Sequence, residues 1–277
     1  MEFLNKMKIS TNLRLSIDAA LKAGESIIEK YNSNNFESTL KNDNSPITNA
    51  DLISHKSIVD ILRPTGLPIV SEEDDQIPYS IRRKWKLFWM IDPLDGTKEF
   101  LKKNGEFTVN IALIKNQIPV IGVVYAPIIK TIYYAEETIG SFMAKDFINL
   151  KQILDKGIRM PYFQNQKNEY RIVISSSHLN EKTRDHIEKI KNKNDKVKIL
   201  KIGSSLKICL LAEGKADYYP RFNPLMEWDI AAAFAILIYS DSKFKTNIKY
   251  FNQKSMLIPN ISFQKLESKN QNKFINE

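Results

Sequence analysis

Three runs of β-branched and aromatic residues, F-T-V-N-I-A-L-I (107–114), P-V-I-G-V-V-Y-A (119–126) and T-I-Y-Y-A (131–135), follow one another across gaps too short to hold a helix. Parallel neighbours need a crossover of a dozen or more residues, so these runs can pair in sequence only as an antiparallel meander. Two runs upstream, L-P-I-V-S (67–71) and K-L-F-W-M-I-D (86–92), have the same strand character. Such a sheet must cover its apolar face, and the flanking sequence supplies helices to do it. Leu13, Ile17, Ala20, Leu21, Gly24, Ile27 and Tyr31 recur at the spacing of one helix face. Thr48 with Asp51 three residues on has the form of a capping box, opening a second helix that carries Leu52, Val59 and Leu62, with His55 on the same face.

From about Phe142 to Glu169 the chain turns polar and aperiodic, which marks the expected boundary between two lobes, 1–160 and 161–277. Two cores suit a chain of 277 residues, since single cores stop growing beyond about 250. Strand and helix then alternate: R-I-V-I-S, a helix near Lys182 to Lys191, V-K-I-L, the helix S-L-K-I-C-L-L-A-E, A-D-Y-Y and a helix after Trp228. The fold class expected is therefore α/β, an α+β lobe with an antiparallel sheet followed by an α/β lobe with a partly parallel one. The polar tail from about Glu267 to Glu277 is expected to fray.

Forty-one Lys and Arg against 32 Asp and Glu leave a formal charge of +9. The basic residues are scattered and form no stripe, so no nucleic-acid surface is expected, although the excess suits a small multiply charged anion. The single cysteine, Cys209, rules out a disulfide framework within the chain, and its place in L-K-I-C-L-L reads as core. The first residues, M-E-F-L-N-K-M-K, carry charges where a secretory signal needs an apolar run. The uncharged run I-A-A-A-F-A-I-L-I-Y falls short of the roughly 20 residues of a membrane-spanning helix. The expectation is a cytoplasmic monomer or homodimer, with attachment at the inner membrane face as the one membrane association left open.

The chemistry is concentrated in W-M-I-D-P-L-D-G-T-K-E-F (89–100). An apolar strand delivers Asp92, Pro93 is expected to break the strand, and Asp95 follows at a spacing that lets both carboxylates turn toward one point. Hard cations such as Mg²⁺ take oxygen ligands of this kind. Gly96 lets a ligand approach the backbone, and Thr97 can open a short helix whose N–H groups suit a phosphate. S-E-E-D-D (71–75) sets Glu72 at the end of another strand, and E-W-D-I-A-A-A-F sets Asp229 beside the start of an apolar helix. Taken singly these are an Asp-rich turn, a solvated acidic loop and a helix cap. Brought together in a dry cleft, the acids would repel one another and lose hydration unless cations neutralised them. Divalent ions about 3.5–4 Å apart can activate a water and stabilise both oxygens of an in-line displacement. Phosphate monoesters are the substrates that most need this help.

The strings E-E-D, D-P-L-D-G-T and W-D-I-A-A resemble the inositol monophosphatase superfamily of lithium-sensitive, magnesium-dependent phosphatases. D-N-S-P-I-T-N-A-D, S-E-E-D, D-G-T-K-E-F, N-G-E-F-T-V-N-I-A-L-I, G-V-V-Y-A-P and I-G-S-S-L-K-I-C-L-L-A-E-G are similar to its CysQ branch, the 3'(2'),5'-bisphosphate nucleotidases, across about Leu13 to Phe234. The resemblance implies a layered αβαβα sugar-phosphatase architecture and two or three Mg²⁺ ions held by Glu72, Asp92, Asp95, Asp229 and the carbonyl of Leu94. It implies that the N–H groups of Gly96 and Thr97 hold the departing phosphate, while the Thr97 hydroxyl, paired with Asp51, helps deprotonate the attacking water. Ser175, His178, Gly203 and Lys207 would contact the nucleotide. A helix starting near Gly203 would add N–H groups there, and Lys207 a point charge for a second phosphate.

The implied reaction removes the 3'-phosphate of adenosine 3',5'-bisphosphate to give AMP, in sulfur assimilation. Two alternatives stand beside it: an inositol monophosphatase or other sugar-phosphate phosphatase on the same metals, and a non-catalytic anion-binding homologue. The last is motivated by a departure after Ile238, where Y-S-D-S-K-F-K-T-N-I-K-Y-F-N-Q-K-S-M-L replaces the family's glycine-rich turn and G-K-P-L-like strand.

Overall fold

The computed structural model of the chain describes residues 9–33, 38–40, 46–163 and 169–266. The first eight residues, the start of D-N-S-P-I-T-N-A-D and the tail expected to fray lie outside them. In chain order the first elements are α1 (Thr11–Ser33), the hairpin β1 (Ser38–Leu40) and β2 (Pro46–Thr48), α2 (Asn49–Leu62), β3 (Ile69–Ser71), α3 (Tyr79–Arg82), β4 (Leu87–Asp95) and α4 (Thr97–Leu101). The meander follows as β5 (Thr108–Lys115), β6 (Ile118–Ala126) and β7 (Thr131–Glu136), continued by β8 (Gly140–Lys145), α5 (Leu150–Asp155) and β9 (Ile158–Arg159).

Strands β3 to β9 form one seven-stranded sheet in sequence order. β3 runs parallel to β4 and every later pair is antiparallel. Because side chains alternate along a strand, the two faces of the sheet feed two different cores. Trp89, Ile91, Val109, Ile111 and Val123 pack with Leu13, Ile17 and Ile27 of α1. Their neighbours Phe88, Met90, Ala112, Ile114 and Val124 pack on the opposite side with α8 (Trp228–Ile238). Both faces are thus covered, which is why these strands are nearly continuous apolar runs; each large side chain so buried contributes about 1.5–3 kcal/mol.

The second sheet has the order β11-β10-β12-β16-β14, from β10 (Tyr170–Ser175), β11 (Val197–Ile202), β12 (Tyr218–Arg221), β14 (Phe244–Thr246) and β16 (Ile261–Lys265). β10 is parallel to β11 and β12, with α6 (Glu181–Lys191) and α7 (Leu206–Ala212) as connections, while β16 is antiparallel to its neighbours. A two-stranded pair joins β13 (Leu225–Met226) to β15 (Leu257–Ile258). Helix α8 is apolar all round because it lies between the sheets, and its core includes Val173, Tyr219 and Phe263 of the second sheet. On that sheet's other side Ile172, Ile174 and Tyr218 pack with Ile187 of α6. The order of layers is therefore αβαβα.

Three local expectations are corrected. Strand β4 runs through Pro93 to Asp95 with a register shift in its pairing to β5 between Asp92 and Asp95, so the proline marks a bulge where its missing N–H costs no ladder bond. The stretch after Phe142 that reads as aperiodic holds β8, α5 and β9; β8 and β9 owe their pairing to neighbouring strands, and α5 to an Asn149 cap, where Oδ1 accepts the Gln152 N–H at 3.0 Å. On α2 the buried face is Ala50, Asp51, Ser54, Ile58 and Leu62, while Leu52 is 50% exposed. Ser54 donates to the Pro93 carbonyl at 2.7 Å and so ties α2 to the bulge. No helix among the described residues is long and apolar enough to cross a membrane.

Candidate active site

The bulge in β4 turns Asp92 into the space where the ends of β3, β4 and α8 meet. Asp92 is 1% exposed; its Oδ1 accepts the Leu94 N–H at 3.1 Å and its Oδ2 is buried without a hydrogen-bond partner. Glu72 follows β3, the parallel neighbour of β4, and its N–H extends that ladder to the Ile91 carbonyl at 3.2 Å. Asp229 stands in the first turn of α8, with Oδ2 accepting the Met226 N–H at 2.9 Å. One oxygen from each of Glu72, Asp92 and Asp229 lies within 4.8 Å of the others.

Burial pushes the Asp92 carboxyl well above the usual carboxylate range, and the charges of Glu72, Asp95 and Asp229 push it further. Asp229 is raised by burial and then by Asp95 and Glu72. Converging carboxylate oxygens, one of them orphaned, are the donor set of a hard divalent cation, which would supply the partner Asp92 Oδ2 lacks.

Asp95 stands beside this trio. Burial raises it, Lys207 and the Ser205 N–H pull it back, and its Oδ2 accepts that N–H at 2.5 Å and the Asn110 amide at 3.4 Å. The carbonyl of Leu94 lies 3.5 Å from the Thr97 hydroxyl, which is also 3.2 Å from Asp51 Oδ1. Asp51 completes the expected capping box: its Oδ2 accepts the Thr48 N–H at 2.7 Å and the Thr48 hydroxyl at 2.6 Å. One carboxylate thus faces the helix cap with one oxygen and Thr97 with the other. Gly96, at φ 97°, takes the left-handed conformation that lets the chain turn from β4 into α4.

The expected nucleotide contacts lie on and beside the second sheet. Ser175 ends β10, and its Oγ accepts the His178 N–H at 3.1 Å. Burial, with Lys98 and Arg221 nearby, lowers His178 to about 4, so it is neutral at pH 7. Lys207 is buried; desolvation lowers it to about 8 against the pull of Asp95, and its ammonium donates to the Ser204 carbonyl. The helix start expected to offer N–H groups is otherwise engaged. Gly203 N–H donates to Glu106 Oε2 at 2.8 Å, Ser205 N–H goes to Asp95, and α7 begins only at Leu206. Gly203 instead permits close packing, since a Cβ there would stand 2.7 Å from the Glu106 carbonyl oxygen.

Several polar residues escape sequence reading. Glu99, 3% exposed, accepts the Ser177 hydroxyl, and Glu106 accepts the Ser176 hydroxyl at 3.0 Å, so two acids from the α4 region tie down the S-S-S-H loop. Thr108 and Asn110 meet Ser205 at 2.9 and 2.8 Å, and Asn110 is the cross-strand partner of Asp92. Arg221, at the end of β12, feels the charges of Asp229 and Asp95, and its Nε is buried without a partner. The available signal was a polar Thr and Asn inside an otherwise apolar strand; Glu99, Glu106 and Arg221 carried none.

The model of the inositol monophosphatase family matches residues 9–238. The 3'(2'),5'-bisphosphate nucleotidase CysQ of Salmonella typhimurium is 42% identical over 222 residues, 79% of this chain and 84% of that protein. The protein of the same name from Buchnera aphidicola is 43% identical over 238 residues, 82% of this chain and 81% of its own. Among solved structures, CysQ from Bacteroides thetaiotaomicron superposes with a TM-score of 0.82 at 42% identity, covering 92% of this chain and 97% of that one. The extragenic suppressor protein suhB from Bartonella henselae gives 0.72 at 25% identity, covering 92% and 94%.

Proposed function

The chain belongs to the inositol monophosphatase family, and we propose that it is a magnesium-dependent 3'(2'),5'-bisphosphate nucleotidase that removes the 3'-phosphate of adenosine 3',5'-bisphosphate to leave AMP. The observation that carries the reading is the convergence of Glu72, Asp92 and Asp229 within 4.8 Å beside the Thr97–Asp51 pair. The choice of a nucleotide over an inositol ester is supported by relatives named for that activity at 42% and 43% identity.

In this reading two or three magnesium ions are held by Glu72, Asp92 and Asp229, with Asp95 and the Leu94 carbonyl on the adjoining turn. When bound they supply positive charge that neutralises the carboxylates and polarises the phosphoryl oxygens. The N–H groups of Gly96 and Thr97 orient the departing phosphate. Thr97 Oγ1 takes a proton from the attacking water while passing its own to Asp51 Oδ1, 3.2 Å away. Capping bonds from Thr48 to the other oxygen hold that carboxylate in place. Lys207, mostly charged at pH 7, faces the second phosphate with Ser175 and neutral His178, while Gly203 keeps their loops close. The proposal places the enzyme in the cytoplasm, since a chain with one buried thiol needs no oxidising compartment.

Phosphate release from adenosine 3',5'-bisphosphate and from inositol 1-phosphate, with magnesium and with a chelator, tests the reading. Turnover of the nucleotide that needs magnesium is expected. Turnover of the inositol ester alone would overturn the substrate assignment, and magnesium-dependent release from neither would overturn the phosphatase.

A further inference from the structure

Two residues before Asp229, Glu227 is fully buried with both carboxylate oxygens turned to one loop. Oε2 accepts the Asn252 N–H at 2.6 Å and Oε1 the Gln253 N–H at 2.8 Å. The Glu227 N–H donates to the Met256 carbonyl at 3.0 Å, so this one residue holds the loop 250–256 at its middle and at its C-terminal end. Arg82, 4% exposed, grips the same loop: Nη1 donates to Asn252 Oδ1 at 2.7 Å and Nη2 to the Lys254 carbonyl at 2.8 Å. Asn252 returns a bond from Nδ2 to the Arg82 carbonyl at 2.8 Å.

Arg82 closes α3, in the segment that leaves Glu72, and Glu227 opens α8, which carries Asp229. The loop between them belongs to the stretch whose sequence departs from the family's pattern after Ile238. Glu72, Arg82, Trp228, Lys254 and Met256 share the wall of one cavity of about 440 Å³, so the loop and Glu72 of the acidic trio border the same space. Three carboxylates that repel one another cannot set their own spacing; the backbone around them must. A polar network whose members satisfy one another is rigid enough to do that.

We propose that Glu227, Asn252 and Arg82 are positioning residues that fix the distance between Glu72 and Asp229, so that the loop 250–256 sets the affinity of the acidic cluster for divalent cations without touching cation or substrate. The proposal rests on the metal reading of the preceding subsection. Residues of this kind behind metal ligands typically govern affinity by about 10–100-fold.

The test uses the full chain stripped with a chelator, and Mn²⁺ as probe, its free fraction followed by electron paramagnetic resonance. Melting of the metal-free protein and kinetics at saturating magnesium are measured alongside. Glu227→Gln sets an NH₂ group against a loop N–H, and Asn252→Ala removes the bonds to Arg82. Each is expected to raise the Mn²⁺ dissociation constant about tenfold, with kcat at saturating magnesium within about threefold and KM for the ester unchanged. Where Glu227→Gln does not fold, Asn252→Ala carries the test. Variants that melt earlier yet bind Mn²⁺ as the parent does would overturn the positioning role and leave the metal reading intact. A parent protein with no saturable Mn²⁺ binding sensitive to Asp92→Asn would overturn both.

Discussion

The division of labour on Asp51 lends itself to a substitution that separates its two tasks. Both donors from Thr48 converge on Oδ2, and the Thr97 hydroxyl faces Oδ1. In Asp51→Asn the amide oxygen can keep both capping bonds while the NH₂ group replaces the oxygen that would receive the Thr97 proton. The cap survives with only the difference between charged and neutral acceptors, within about 1.5 kcal/mol. Proton transfer to a positioned group is worth about 10²–10⁴-fold in rate, or roughly 2.7–5.4 kcal/mol at 1.36 kcal/mol per decade. Asp51→Ala loses both tasks: two buried Thr48 donors are orphaned at about 1–3 kcal/mol, and melting should fall by several degrees as well. Initial rates of phosphate release at saturating magnesium, with thermal melting of each variant, make the comparison. A fall in kcat of at least about a hundredfold for Asp51→Asn with nearly parental melting is expected. If that variant kept kcat within about tenfold of the parent, the relay through Thr97 would be wrong and Asp51 would be a cap alone.

Other expectations follow from the same geometry. Lys207→Met removes the buried ammonium facing Asp95 and should raise KM for the bisphosphate by about tenfold or more, with far less effect on a nucleoside 3'-monophosphate; equal losses on both would refute a role at the second phosphate. Gly203→Ala forces a Cβ to 2.7 Å from a backbone oxygen and should cost about 1–3 kcal/mol of stability, seen as earlier melting in denaturant; an unchanged midpoint would mean the loop at Glu106 moves freely. The pH profile of the metal-free protein has a definite sign. Asp92, Asp229 and Glu227, the last at about 7, carry folded values raised above their unfolded ones, so their contribution is full at low pH and lost as pH rises through the folded values. His178 and His186, lowered, oppose this only below about 6.5, and Lys207 only above about 8. Melting in a chelator should therefore fall from about pH 6.5 to about pH 8, and Asp92→Asn should flatten the slope; a rising profile would refute the shared burial of these acids.

The one-dimensional pattern was enough for elements whose residues make their own case. Period-2 and period-3.6 patterning placed the meander, α1 and α8, and the Thr48 and Asp51 pair announced the start of α2, because local propensity and burial agreed there. The short strands β8 and β9 were illegible because pairing with neighbours, rather than their own composition, makes them strands. Identity of the acids could be read from their places at strand ends and a helix start, but their meeting could not. Glu72, Asp92 and Asp229 converge only because β3 lies parallel to β4 and α8 threads between two sheets, bringing residues about 20 to 160 positions apart within reach of one ion. The same holds for Glu99, Glu106, Arg221 and the Glu227–Asn252–Arg82 network. A charged side chain reads as solvated until the fold removes its water, and which ones lose it is decided by long-range packing.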